Sequence, residues 1–114
     1  MEIINKPWGH EIIWARTERY VGKVISINPC HRLSRQFHQK KDETFFIIKG
    51  EMTLQLGEPG SLEYLLNHMR IGDSFHCEPG VIHRMCAGPE GAEVVEVSTP
   101  ELDDVVRLDD DYGR

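Results

Sequence analysis

The sequence predicts an all-β domain, a barrel or sandwich built from short strands. Short apolar or alternating runs recur along the whole chain, Gly, Pro and Asn punctuate them, and only the stretch after Pro100 reads as helical. Alternation of strand length bounded by turn residues is the signature of such folds. One hundred and fourteen residues make a single domain, 1–114, with one core and no repeat, linker or low-complexity tract.

In chain order, strands are expected at 11–15, 21–27, 32–38, 44–49, 52–56, 62–66, 74–77, 83–87 and 93–97. The first two are rich in Ile and Val, which suit a pleated, half-buried surface. The third leads into Gln36-Phe37-His38. Ile47-Ile48-Lys49-Gly50-Glu51-Met52-Thr53-Leu54 reads as a hairpin joining the fourth and fifth, with Gly50 supplying the backbone freedom of its turn. Gly57-Glu58-Pro59-Gly60 is a second turn, leading into 62–66. Pro79-Gly80 is a third, delivering His83 onto the next strand. A helical turn is expected around 102–108, and Asp103, Asp104, Asp109, Asp110 and Asp111 read as a solvated acidic tail.

A net charge of −6 argues against nucleic-acid binding, where a basic patch supplies most of the affinity. No run approaches the roughly 18 apolar residues of a membrane span, and the first five residues do not form a signal peptide, so a cytoplasmic protein with no membrane partner is expected. Cys30, Cys77 and Cys86 are an odd set without CxxC spacing. They read as small hydrophobes, with Cys77 near enough to the Pro79-Gly80 motif to line a pocket.

Gln36 and His38 lie two apart, so on a strand they share a face. Glu43 follows, and His83 comes after the Pro-Gly turn. Gln36, His38, Glu43 and His83 together form a nitrogen and oxygen set suited to one divalent metal ion: Zn, Mn, Fe, Co or Ni. The alternative for the Gln-x-His pair alone is the polar outer face of a half-buried sheet.

With these residues the chain resembles the cupins, small double-stranded β-helix (jelly-roll) barrels holding one metal, with a first motif from Pro29-Cys30 to Gly50 and a second from Gly72 to His83. Gln36 stands where most cupins have the first His of a His-x-His pair. Leu33-Ser34-Arg35-Gln36-Phe37-His38, then Glu43, is similar to the Leu-Ser-Leu-Gln-x-His block of type II mannose-6-phosphate isomerases. Lys6-Pro7-Trp8-Gly9, Asp103-Asp104-Val105-Val106-Arg107 and Asp110-Asp111-Tyr112-Gly113-Arg114 resemble that domain's opening and closing blocks. The chain departs from the pattern at Cys30, Arg35, Thr44, Phe45 and Glu78. It is expected to be a stand-alone small cupin similar to the C-terminal domain of those enzymes.

The resemblance implies a metal-dependent sugar or sugar-phosphate isomerase acting on a small carbohydrate, the metal polarising a carbonyl while a base moves a proton. A non-catalytic carbohydrate-binding or regulatory cupin is the alternative, and an iron-dependent oxygenase a third. The candidate bases are Lys23, Glu96 and His76, against a snorkelling Lys23, an Arg-paired Glu96 and a satisfied His76. Guanidinium groups suit an anionic substrate, and Arg32, Arg35, Arg84 and Arg107 lie near motif residues. By alternation Arg84 points outward and reads as structural, whereas Arg107 either meets substrate or pairs with Asp103 or Asp104. Lys23, Glu96 and Arg107 are therefore assigned to catalysis, and Arg32 and His76 to substrate binding. Trp8 and Trp14 read as core or interface packing, with stacking on the apolar face of a sugar ring as the alternative, and apolar outward positions on several strands point to a homodimer.

Overall fold

Residues 1–57 and 64–114 of the computed structural model form nine strands and no helix: β1 (Glu2–Lys6), β2 (Gly9–Arg16), β3 (Val21–Ile27), β4 (Arg35–Phe37), β5 (Glu43–Gly57), β6 (Tyr64–Arg70), β7 (Ser74–Cys77), β8 (Ile82–Ser98) and β9 (Val106–Asp109). Hydrogen bonding runs in the order β1-β2-β3-β8-β4-β9, and β5 pairs with β6, β7 and β8. All pairings are antiparallel. Trp8, Phe45, Ile47, Leu54, Met69 and Val94 lie among the most buried side chains, in the core between the sheet faces. Burying such side chains stabilises the fold by about 1.5–3 kcal/mol each.

Strands at 21–27 and 74–77 form as expected. The expected hairpin at Gly50 does not: 44–49 and 52–56 are one strand, β5, and 83–87 and 93–97 are likewise one strand, β8. Gly50 takes φ 70°, but it sits where the β5–β8 register slips, opposite Ala92, with Gly91 at φ 79° beside it. A left-handed glycine serves a hairpin turn or a bulge equally well, and here the two bend the paired strands without reversing either.

The bend brings the candidate ligands Glu43 and His83 together. Glu43 pairs with Ser98 at one end of the β5–β8 ribbon, and Leu56 pairs with His83 at the other. An unbent strand would hold Glu43 and Leu56 about 40 Å apart, yet Glu43 Oε2 lies 3.5 Å from His83 Nε2. The ribbon is therefore folded over so that its two ends face each other.

A Cβ on Gly50 would run into the Gly91 carbonyl oxygen. Gly50→Ala is expected to destabilise the protein by about 2 kcal/mol, read as a lower urea midpoint at unchanged slope.

Elsewhere the boundaries differ. The 32–38 strand shrinks to Arg35–Phe37, with Arg32 in a single bridge to Cys86. The expected turn at 57–60 and the start of the 62–66 strand fall largely outside the described residues. Around 102–108 a short turn leads into β9, which pairs with β4, in place of a helical turn. The β-branched Val105 and Val106 fit that strand better than a helix. Strand β1, which the sequence reading missed, pairs along its whole length with β2.

Candidate metal centre

Three segments converge inside the barrel. His38 follows the end of β4, Glu43 opens β5 and His83 is the second residue of β8, reached through a turn in which Gly80 N–H donates to the His38 carbonyl at 2.6 Å. His38 Nε2 lies 3.1 Å and His83 Nε2 3.5 Å from the same oxygen, Glu43 Oε2. All three side chains are buried. The other ring nitrogens are held by backbone carbonyls: His38 Nδ1 is 2.6 Å from Asp104 O, and His83 Nδ1 is 2.9 Å from Val81 O. A protonated Nδ1 donating to a carbonyl leaves the Nε2 lone pair turned inward, the tautomer a metal ligand needs.

Gln36, the Cα partner of His83 on one side and of Arg107 on the other, joins these three in the wall of a cavity of ≈ 60 Å³. Lys23 and Glu96 line it as well. So does Lys41, which the sequence reading missed. Lys41 Nζ lies 3.0 Å from Glu43 Oε1 and 3.2 Å from Glu96 Oε2. Lys23 Nζ lies 3.6 Å from Glu96 and 3.2 Å from Glu11. A chain of alternating charge thus runs Glu11, Lys23, Glu96, Lys41, Glu43. For Glu11 the available signal was its parity with the buried Ile13 on β2, since side chains two apart on a strand share a face, whereas Lys41 lies in the loop just before β5.

Burial opposes ionisation of Glu43, but the His38 hydrogen bond and the Lys41 charge outweigh it and hold the carboxyl at about 2. Burial also works against the Lys41 ammonium, and the Glu96 and Glu43 carboxylates overcome it and raise its pKa. Burial and then the Glu43 charge push Glu96 upward. His83 is lowered by burial, whereas for His38 burial is opposed by the Glu43 hydrogen bond, the Glu43 charge and the Asp104 carbonyl, which together raise it. Cys77, with its Sγ 3.4 Å from His83 Nδ1, is pushed up by burial and by Glu43, and stays a thiol.

A divalent cation fits this set. The three ligand atoms lie within 4.8 Å of one another. Glu43 Oε1 and Glu96 Oε2 are buried against the Lys41 ammonium at 3.0 and 3.2 Å, which leaves Glu43 Oε2 as the carboxylate oxygen turned to the two imidazoles. Two imidazole Nε2 atoms and one buried carboxylate oxygen converging on one point are a donor set that suits a divalent cation.

The cavity opens into a mouth of ≈ 260 Å³ that adds Lys6, Arg16, Arg107 and Arg114. Arg16 pairs with Glu2 and Arg114 with Asp110, whereas Arg107 and Lys6 make no ion pair among the described residues. Two assignments are corrected. Arg32 lies outside both cavities, held by Asp111 at 2.6 and 2.9 Å, because the next residue, Leu33, takes the inward position. His76 is exposed and bonded to Asp42 at 2.6 Å, because its neighbour Cys77 takes the inward position. Arg84 is structural as expected, donating to Leu33 O and to Asp111.

The model of the mannose-6-phosphate isomerase C-terminal domain matches residues 2–110. The chain belongs to that family. The chain is 30% identical over 115 residues to the xanthan biosynthesis protein XanB of Xanthomonas campestris pv. campestris and to the mannose-1-phosphate guanylyltransferase ManC of Salmonella typhimurium. Each alignment covers 97% of the chain but 23% of the relative, so the domain spans about a quarter of the length of these proteins. Among solved structures it is similar to the double-stranded β-helix protein of Klebsiella pneumoniae, with TM-score 0.74, 22% identity and coverage of 93% and 90% of the two chains. CapF of Staphylococcus aureus gives TM-score 0.82 at 15% identity over 95% of this chain and 31% of CapF. The fold is therefore the expected double-stranded β-helix, or cupin, barrel. No helix among the described residues is long and apolar enough to cross a membrane.

Asp104 orders the ligand loop, its carboxylate accepting from the N–H groups of Gln39, Lys40 and Lys41 at 2.6–3.1 Å while its carbonyl holds His38. Asp104→Ala is expected to weaken metal binding about 10–100-fold, measured by competition with a chelating dye.

Proposed function

We propose that this domain is a metal-dependent isomerase of sugars or sugar phosphates. The observation that carries this reading is the convergence of His38, Glu43 and His83, with Gln36 beside them, beneath a cationic mouth on a chain of net charge −6. A bound divalent ion supplies polarisation of the substrate carbonyl and stabilises the charge that grows on its oxygen. Arg107 and Lys6 hold the anionic end of the substrate at the mouth. Glu96, kept in place by Lys23 and Lys41, takes the proton from the carbon next to the carbonyl and returns it to the carbonyl carbon, while the hydroxyl proton passes from the oxygen that becomes the new carbonyl to the former carbonyl oxygen, so that aldose and ketose interconvert without net gain of a proton. Lys41 fixes Glu43 and Glu96 relative to each other. Exposed apolar side chains, among them Ile3, Ile4, Leu65 and Leu66, support pairing into a homodimer in the cytoplasm.

The test is incubation of the metal-loaded protein with mannose 6-phosphate and detection of fructose 6-phosphate. Absence of turnover with each of Zn, Mn, Fe, Co and Ni rejects the reading. Arg107→Ala is expected to raise KM about 10–100-fold with a smaller effect on kcat, the loss of one charge-assisted hydrogen bond. Saturable binding of a sugar phosphate without turnover favours instead the carbohydrate-binding reading, with Phe45 in the cavity wall 5.9 Å from the His83 ring.

A further inference from the structure

The two tryptophans are treated oppositely. Trp8 is 2% exposed in the core, whereas Trp14 is 52% exposed on the outer face of β2. Two backbone features seat Trp14. The β2–β3 register slips between Ile13 and Ala15, which makes Trp14 the extra residue of a bulge, a feature that re-aims a side chain. Across the pair, Gly22 presents bare backbone. A Cβ there would lie 2.6–2.9 Å from indole atoms Cζ2, Cη2 and Cε2, so the ring rests against the glycine. One face of the indole is thereby fixed while much of the ring stays open to solvent.

The indole borders a cleft of ≈ 430 Å³ together with Tyr20, Arg19, Asp42, Thr44 and Thr99. Gly22 and Val97 adjoin Lys23 and Glu96, which point inward, so Trp14 and the outer wall of the cleft face away from the metal centre, while Val21, Ser98 and Glu43 border it at the sheet's edge. Its polar rim is held in place. Thr17 Oγ1 accepts from the N–H groups of Arg19 and Tyr20 at 3.1 Å, Thr99 Oγ1 accepts from Asp42 N–H at 3.0 Å, and Asp42 Oδ1 is fixed by His76 Nε2 at 2.6 Å. Arg19 makes no ion pair among the described residues.

We infer that this cleft is a second carbohydrate site, binding a pyranose ring with one C–H face stacked on Trp14 and its hydroxyls bonded by Arg19, Asp42 and Thr99. A concave site of a few hundred Å³ with an aromatic wall and a few positioned polar groups is the build of a small-ligand pocket. A pyranose matches it, with an apolar face for the indole and a hydroxyl rim for the polar groups. A second copy laying a flat sheet face here would leave the concavity unfilled and would desolvate Arg19 and Asp42. The inference does not rest on the isomerase reading.

The test is intrinsic fluorescence, with buried Trp8 as a constant background, during titration with methyl α-mannopyranoside and with cellotriose. A saturable change that protects against iodide quenching is expected with at least one of them. Trp14→Ala removes it at an unchanged urea midpoint. Gly22→Ala keeps every rim group but pushes the indole off its seat, and weakens binding about tenfold. His83→Ala disables the metal centre and leaves the titration as in the wild type. No saturable change with either glycan, a change that survives Trp14→Ala, or a signal that follows protein concentration in place of glycan overturns the inference.

Discussion

Glu43→Ala is expected to empty the metal centre and to cost about 3–5 kcal/mol of folding free energy at once. Both consequences follow from one side chain. Glu43 Oε2 is the atom on which the two imidazole Nε2 atoms converge, and Glu43 Oε1 is one of the two carboxylate oxygens beside the Lys41 ammonium. Removing it takes the only anionic member from the ligand cluster and leaves a buried ammonium with Glu96 alone. Metal content of purified protein and urea unfolding are the two readouts. Gln36→Ala, which removes a neutral ligand from a less buried position, is expected to reduce metal content without a comparable loss of stability. Unchanged metal content in the Glu43 variant would place the ion elsewhere.

Lys41→Met is expected to destabilise the metal-free protein by about 3–5 kcal/mol and to make stability depend on metal more steeply than in the wild type. Lys41 stands between two buried carboxylates, Glu43 and Glu96. With the ammonium gone, Glu43 and Glu96 face each other with Lys23 as the remaining cation, 3.6 Å from Glu96. Exchanging a whole buried ion pair for apolar residues is often harmless, whereas removing one partner strands the other. Met keeps the length and bulk of the lysine stem, so the loss reads charge and not packing. A divalent ion restores part of the missing positive charge, so the rise in Tm on adding metal is expected to be larger in Lys41→Met than in the wild type. Equal thermal midpoints for the two metal-free proteins would remove Lys41 from this role.

The convergence of Gln36, His38 and His83 was legible because each carries its own local cue: Gln36 and His38 share strand parity, and His83 follows a Pro-Gly turn. Lys41 was not legible by residue type, since lysine is among the residues least often buried, and it reveals itself only once the start of β5 fixes which residues face inward. Arg32 and His76 erred in the opposite direction. They are close to the ligands in sequence, but the next residue in each case, Leu33 or Cys77, takes the inward position. The glycine at 50 correctly marked a left-handed backbone, but a single residue's φ does not say whether the strand turns back or bends onward. The choice depends on Gly91, forty-one positions away in the chain and beside it in space.

The bent β5–β8 ribbon also orders events in time. No local folding step brings Glu43 to His83; their meeting requires β5 and β8 to pair along their lengths and then to close at Gly50 and Gly91. Contacts so distant in sequence form slowly. A divalent ion held by Glu43 and His83 would therefore bind a chain already assembled and would clasp the two ends of one ribbon. How firmly the ion is held and how firmly the barrel is shut are then one quantity, because free energy released on coordination is free energy of closure.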